Sequence, residues 1–334
     1  MAERRRFSGR LVRGGAGILV LLGLLAVAAP LVAPYDPAEQ LDPAAGRFLP
    51  PLSVREAVRL ESGRWLLAER VERTPRGVRI ERLGERRLLP DEAVANLAPS
   101  GVADRRYFLL GTDRFGRDLW SRIAYGARVS LSIGLMAMII AVTVGVAVGG
   151  IATAGPAADA IAMRVVDAFL AFPRLFLVVA LAALLSAGEW PLILILGATG
   201  WMGVSRLVRS ELVGLKEREF VLAARGLGQG PLAIFFRHLL PNALTPVVVD
   251  ATLRIGEIVL VEAALSFLGL GVQPPTPSWG NMVADGGDAL RTAWWVAAFP
   301  GAAIALTVIG CNLLGDGLRD ALDPRRRPHL RPGA

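Results

Sequence analysis

The sequence predicts an all-α integral membrane protein of six transmembrane helices, with a small, possibly β-rich extracytoplasmic insert. Three observations carry that reading. Hydrophobic residues fill 53% of the 334 positions and charged residues only 20%, with a mean hydropathy of +0.48; a water-soluble domain cannot hide so much apolar surface. The apolar residues gather in runs long enough to cross a hydrocarbon core of about 30 Å. The arginines gather in the short connections between those runs, as the distribution of positive charge in membrane proteins requires.

The same figures exclude several classes. A net charge of +8 would suit nucleic acid, but the basic residues alternate with apolar spans instead of lining one face, so no nucleic-acid partner is expected. Lys216 is the one lysine among 37 basic residues. Cys311 is the single cysteine and lies in an apolar run, so there is no disulfide framework. Two histidines and one cysteine are too few for a protein-built zinc site, and no metal or bound cofactor is expected on this chain.

Residues 1–35 are read as a cytoplasmic N-terminus and first span. Arg4, Arg5 and Arg6 precede the charge-free run Gly14–Tyr35. Ala26-Val27-Ala28 has the look of a cleavage site, yet the run is longer than a signal-peptide core and further spans follow, so an uncleaved anchor is expected. Residues 36–127 form a long extracytoplasmic segment with sixteen arginines against fourteen acids. Within it, Trp65–Arg73 and Val78–Leu83 alternate apolar and polar around the turn signal Thr74-Pro75-Arg76-Gly77. A small β module and a partly disordered charged loop are both compatible with that pattern. Near its end, Asp113, Arg114, Arg117, Asp118 and Arg122 alternate in sign at helical spacing, as in an amphipathic helix lying on the surface. Asp113, Arg117 and Asp118 are candidates for an outer gate, together with Trp279 after the proline-rich Pro274, Pro275 and Pro277; the alternative is a solvated charged face.

Residues 128–316 make the membrane core of five helices. Val129–Ala158 and Thr292–Gly315 are clean spans. Leu175–Gly188 is short unless extended back to Ile161, and Trp190–Ser205 ends in Arg206 and Arg209, which can snorkel to the interface. Arg164 and Asp167, three apart, are expected to pair with each other. Val247–Leu270 carries Asp250, Arg254, Glu257 and Glu262, and charge at bilayer depth is costly unless it faces protein or water. Asp250, Arg254 and Glu257 share one helical face, where they either line a polar pathway or neutralise one another. Glu262 is a structural or gate-associated candidate.

An even number of spans puts the N-terminus, Ser205–Ala243 and the basic tail 317–334 on one side. All three are arginine-rich, so that side is cytoplasmic, with both termini inside. The long segment 36–127 has no such constraint and is outside.

No nucleotide-hydrolysis motif is present: the only lysine is flanked by Leu215 and Glu217, so there is no Walker A sequence. Neither G-x-S-x-G nor H-E-x-x-H occurs. What stands out is a polar interruption of the core, Glu219–Asn242, within the cytoplasmic loop 214–243. Ala223 and Ala224 lack bulk, so a helix carrying them can approach a partner closely. Gly228 can cap that helix, Pro231 can begin the next, and Pro241 is expected to break it before the following span. Arg225 and Arg237 offer charge-assisted contacts to an acidic partner. His238 is read as a hydrogen-bonded structural histidine in preference to a proton carrier. An ordinary amphipathic surface loop is the alternative for the whole stretch.

This interruption resembles the cytoplasmic "EAA" loop of ATP-binding-cassette importer permeases. The family pattern is E-A-A, three residues, G, nine residues, I-x-L-P. Here Ala223-Ala224, Gly228 and His238-Leu239-Leu240-Pro241 keep the spacing, while Leu222 stands for the Glu and His238 for the Ile. Arg237-His238-Leu239-Leu240-Pro241-Asn242 is similar to the dipeptide/oligopeptide/nickel branch, and so are Gly111–Ser130, Leu265–Gly280 and Asn312–Arg325. The resemblance covers the first helix and roughly Leu110–Arg326, and the insert 47–107 is longer than that branch leads one to expect.

The resemblance implies a type I importer permease fold and a "C"-type subunit. It implies a heterodimer with a homologous permease, two cytoplasmic ATPase subunits that carry ATP and magnesium, and an extracytoplasmic solute-binding protein, all at a bacterial or archaeal inner membrane. It implies that this chain is no enzyme, and that Glu219, Ala223, Ala224, Arg225, Gly228, Arg237, His238, Pro241 and Asn242 form the ATPase-coupling loop. A stand-alone secondary transporter or channel is the alternative, with the charged Val247–Leu270 helix in its favour; a membrane enzyme using the insert is a third. The solute is not legible in the sequence.

Overall fold

The computed structural model describes residues 2–96, 104–186 and 188–322. The tail arginines Arg325, Arg326, Arg327 and Arg331 lie outside the described residues. The chain forms two compact units. One is Gly23–Ser130 with Ala263–Ile304; the other is Leu131–Glu262 with the segments up to Leu22 and from Ala305.

Helix α1 (Ala2–Val32) is followed by strands β1 (Ser53–Leu60), β2 (Trp65–Ala68), β3 (Arg70–Thr74), β4 (Gly77–Arg82), β5 (Glu85–Leu89), β6 (Val94–Asn96) and β7 (Asp104–Phe108). The rest is helical: α2 (Leu119–Ala152), α3 (Pro156–Leu170), α4 (Arg174–Leu184), α5 (Glu189–Ala198), α6 (Trp201–Lys216), α7 (Glu219–Gly226), α8 (Pro231–Ile234), α9 (Leu240–Phe267), α10 (Trp279–Gly287) and α11 (Trp295–Leu322).

Four helices among the described residues are long and apolar enough to cross a membrane: Gly9–Val32, Leu119–Ala152, Glu189–Lys216 and Trp295–Leu322. The pair α3 and α4, bent by 76°, makes a fifth if taken together. Pro173 at the bend explains the break, since a proline disfavours helix at the residue before it. The sixth stretch, α9, has 28 residues, ample length, but every 18-residue window of it holds at least three charges. The expected spans are present with shifted bounds: Val129–Ala158 gives way to Leu119–Ala152 and a turn before α3, Trp190–Ser205 becomes α5 and α6 running on to Lys216, and α9 is set apart by its charges.

Close helix contact in the Leu131–Glu262 unit rests on small residues. A Cβ on Gly145 of α2 would sit 2.5 Å from the Val204 Cβ of α6, and one on Gly149 would sit 2.7 Å from the Ser205 carbonyl. Spaced four apart, these glycines let two backbones approach where lipid supplies no hydrophobic drive for helices to associate.

In the other unit the insert is a folded β module. β1 pairs antiparallel with β2, β6 and β7, while β3, β4 and β5 form a second sheet. The run Trp65–Arg73 is not one strand: Trp65–Ala68 joins β1, and the chain passes at Glu69 into the second sheet. The Thr74–Gly77 signal does make a hairpin, with Thr74 opposite Gly77 and the Thr74 hydroxyl donating to the Gly77 carbonyl at 2.7 Å. The next turn places Leu83 and Gly84 at φ of +53° and +76°, the left-handed pair that a two-residue hairpin of this twist demands. Leu41, Leu49, Ala57, Leu67 and Phe108 form one small core, and Val58, Ala68, Val78 and Ile80 another. Asp42 clasps the module, accepting from both Arg82 Nη2 (2.7 Å) and the Leu67 N–H (3.0 Å). Burial by itself raises the Asp42 carboxyl, but the Arg82 guanidinium and the backbone N–H groups outweigh it and hold the group below the usual carboxylate range.

Candidate functional site

Arg218 is extended, and α7 starts at Glu219, whose carboxylate sits in the first turn where the helix dipole favours it. The helix ends as the sequence suggests. Gly228 adopts φ +76°, its N–H donates to the Arg225 carbonyl at 2.9 Å, and the Gln229 N–H donates to Ala224 at 3.1 Å. These are the two bonds of a Schellman cap. Pro231 then begins α8 at its first turn.

The expectation for Pro241 does not hold. It lies inside α9, one residue after its start. Phe235–Leu239 forms a π turn in which the Leu240 N–H donates to the Phe235 carbonyl. That wider turn gives room for the pyrrolidine ring and for the donor that Pro241 lacks, so the helix runs on instead of stopping.

The loop is seated on its own helices. Val221 and Ala224 of α7, Ile234 of α8, Leu239 of the π turn and Ala243 and Val247 of α9 pack against Val204, Val208 and Leu212, one face of α6. Ala224 therefore faces inward, 4% exposed. The two alanines expected on one docking surface are divided: Ala223 is exposed and Ala224 is core. The outward face carries Phe220, Leu222, Leu227, Leu232 and Phe236, with Leu227 81% and Leu232 73% exposed. Arg225 and Arg237 are exposed beside them. His238 Nε2 lies 3.0 Å from Gln229 Oε1, and Asn242 Nδ2 donates to the His238 carbonyl at 2.7 Å. Both bonds brace the loop, His238 half-buried and Asn242 exposed.

Helix α6 carries the loop's seat to α3. Arg209 Nη2 donates to Asp159 Oδ2 at 2.6 Å, Arg206 pairs with Asp167, and Lys216 donates to the Thr153 carbonyl. Asp167 thus pairs with Arg206 on α6, not with Arg164 as the spacing suggested. A second polar group collects around Gly200, the turn between α5 and α6. Arg254 pairs with Asp250 one helical turn back and reaches the Gly200 carbonyl at 3.5 Å. Arg174, at the start of α4, pairs with Glu257, and its Nη2 lies 3.6 Å from where a Gly200 Cβ would stand. The α9 trio anticipated from sequence is joined by Arg174, whose distance along the chain gave no local signal. Glu262 is fully buried.

The Gly111–Ser130 stretch departs from expectation. It is not a surface helix: Thr112 and Asp118 form a β-bridge across a tight loop, and α2 begins directly at Leu119. Asp113, Arg117, Asp118 and Arg122 are all 3% exposed or less. Arg117 donates to Asp113 at 2.6 Å and to Asp285 of α10 at 3.0 Å, and Arg114 reaches Asp285 at 2.8 Å. Asp118 caps α2, accepting from the Ser121 N–H (2.8 Å) and hydroxyl (2.7 Å). Burial first, then the nearby Asp113 charge, raise the Asp118 carboxyl despite the Ser121 bonds. Trp279, the fourth outer-gate candidate, is not on a surface either. It is fully buried, donating from Nε1 to the Ile123 carbonyl at 3.2 Å, behind the capping box of Ser278 and Asn281. All four candidates are thus buried within the unit of Gly23–Ser130 and Ala263–Ile304, Asp113 and Arg117 in ion pairs, Asp118 as a helix cap and Trp279 in the core.

Comparisons with known proteins agree with this architecture. The family described as the inner membrane component of binding-protein-dependent transport systems matches residues 125–328. The N-terminal transmembrane domain of oligopeptide transport permease C matches residues 4–51. The di/tripeptide transport system permease protein DppC of Pseudomonas aeruginosa is 45% identical over 219 residues, 65% of this chain and 72% of that protein. The dipeptide transport system permease protein DppC of Alkalihalophilus pseudofirmus is 42% identical over 245 residues, 72% of this chain and 80% of that one. Among solved structures, an inward-facing conformation of the MetNI methionine ABC transporter has a similar fold. Its TM-score is 0.51 at 20% identity, over 60% of this chain and 96% of that one.

Proposed function

The chain belongs to the inner membrane components of binding-protein-dependent transport systems, and from that membership we propose that it is the C-type permease of an ATP-driven importer whose solutes are peptides. As a member it is a membrane-embedded permease subunit of an ATP-binding-cassette importer, and not a catalytic protein. The peptide cargo is inferred from the relatives named above. A heterodimer with a homologous permease, two ATPase subunits supplying ATP and magnesium, and a separate solute-binding protein complete the proposed assembly. The arginine-rich N-terminus and Ser205–Ala243 loop support an inward orientation for both termini. The proposed layout is 1–35, 36–127, 128–316 and 317–334, with α2 and α11 running across its last two boundaries.

One observation carries the coupling role: the Glu219–Asn242 loop buries one face against α6 and α9 and leaves an apolar face outward. Val208, Leu212, Val221, Ile234 and Leu239 are each at least 96% buried. At roughly 1.5–3 kcal/mol per buried side chain, they hold the loop to its helices by on the order of 10 kcal/mol, an upper bound. A partner pulling on the outward face therefore moves α6 and α9 before it peels the loop away. Closure of the ATPases on ATP would drive the loop, and through the α6 ion pairs it would drive α3. The ATPase engages the loop differently in its open and closed states, and that difference is what shifts the permease between conformations.

The test is co-purification with the ATPase subunits. Ala223→Arg, on the exposed face, is expected to abolish ATPase retention and ATP-driven uptake while the permease still folds. Intact retention and uptake in that variant would refute the coupling assignment, and uptake driven by an ion gradient without any ATPase would refute the importer assembly.

A further inference from the structure

The charges around Gly200 lie where charge is least welcome. Counted along the helix at about 1.5 Å per residue, Gly200 is roughly 16 Å past Glu189, the start of its candidate span. Asp250 and Glu257 each stand ten residues from an end of α9, roughly 15 Å by the same rise. Glu257 and the Gly200 turn thus lie at mid-depth, with Arg254 and Asp250 about one and two helical turns from Glu257 along α9. The Glu257 side chain is 52% exposed, Asp250 31% and Arg174 27%. Half-exposed charge at that depth is sustained only against protein or an aqueous path, and the turn at Gly200 is likewise tolerated only beside one.

Arg174, Asp250, Arg254 and Glu257 sum to zero charge and are paired among themselves. An empty path therefore holds no uncompensated charge. A solute with one ammonium and one carboxylate can exchange partners with either pair and bring no net charge with it, whereas a net-charged solute leaves one charge unmatched. We propose that this four-residue cluster is the station of the translocation path that passes zwitterionic solutes, its carboxylates meeting the α-ammonium and its guanidinium groups the α-carboxylate of a free peptide. The proposal rests on the peptide reading above and adds the residues that recognise the charge state of the cargo.

The experiment uses the complete complex in proteoliposomes and three dipeptides, net neutral, anionic and cationic, with uptake measured per ATP hydrolysed. Selectivity of the binding protein is common to all samples and cancels when variant is compared with wild type. Glu257→Gln leaves an excess positive charge, which at about 4 Å even in bulk water should raise anionic uptake about fivefold and lower cationic uptake about fivefold, so their ratio should rise roughly 25-fold. Arg254→Gln should move the same ratio the other way. If either single variant does not assemble, the double variant Arg174→Gln with Glu257→Gln removes a pair without unbalancing charge. It should lower neutral-dipeptide uptake about fivefold per ATP. Ratios within twofold of wild type in active single variants, or unchanged neutral uptake in the double variant, overturn the station. A wild-type complex that hydrolyses ATP but takes up none of the three dipeptides overturns the peptide reading itself.

Discussion

Leu227 closes the tip of α7, and replacing it with serine isolates the outward face of the loop. The side chain is 81% exposed and has no place in the cluster that seats the loop, so the variant should melt with the wild type. Full burial of a leucine is worth roughly 1.5–3 kcal/mol. With four-fifths of the side chain available to a partner and little apolar surface left in serine, the loss on docking is about 1–2 kcal/mol. That is roughly a five- to thirtyfold rise in Kd. The assay is a titration of nanodisc-held permease with purified ATPase followed by fluorescence anisotropy, with thermal melting in parallel. Leu212→Ala is the control from the opposite side. Leu212 is fully buried beneath the loop, and its truncation should cost roughly 2–5 kcal/mol of stability and visibly lower the melting temperature. A Kd for Leu227→Ser within twofold of wild type would refute the division of the loop into a seated and a docking face.

Two further outcomes concern the other unit. Asp42 is held below the usual carboxylate range, so on acidification the unfolded chain takes up a proton before the native one does. Its contribution is complete above an ordinary aspartate value of about 4 and is lost as pH falls through the lower native value. Trp65 fluorescence under acid titration should show this, and Asp42→Asn should flatten the pH slope by one proton; an identical slope would remove Asp42 from the clasp. Trp279→Ala should cost about 3–5 kcal/mol, as expected for a fully buried aromatic, and a melting temperature unchanged from wild type would return Trp279 to the surface.

The helical stretches and the loop were legible because their signals are local. Apolar run length marks a span, and Gly228 and Pro231 mark a cap and a start by backbone chemistry that neighbours cannot override. Pro241 misled because its cost is absorbed by a π turn, whose hydrogen bond at Phe235 leaves no trace in composition. Ala223 and Ala224 read alike in sequence, and only packing against Leu212 and Val208 tells them apart. The alternating charges after Gly111 have helical spacing, but Asp285, 168 residues on from Arg117, draws them inward, and Trp279 follows them for the same non-local reason. Arg174 was invisible as a partner of Glu257, 83 positions away. The β module was legible at its Thr74–Gly77 turn but not at Glu69, where strand chemistry is continuous and only the choice of pairing partner changes.

The module's first and last strands lie side by side, with Ser53 opposite Phe108, so the chain enters and leaves it at neighbouring points about 5 Å apart. It also falls within the stretch 52–124 that neither matching family segment reaches. A domain whose ends meet is portable: it can be acquired, exchanged or lost in one insertion event without stretching the flanking chain. The same geometry makes it a natural handle, since a short glycine–serine tie in its place, or a label carried upon it, asks nothing of the helices on either side.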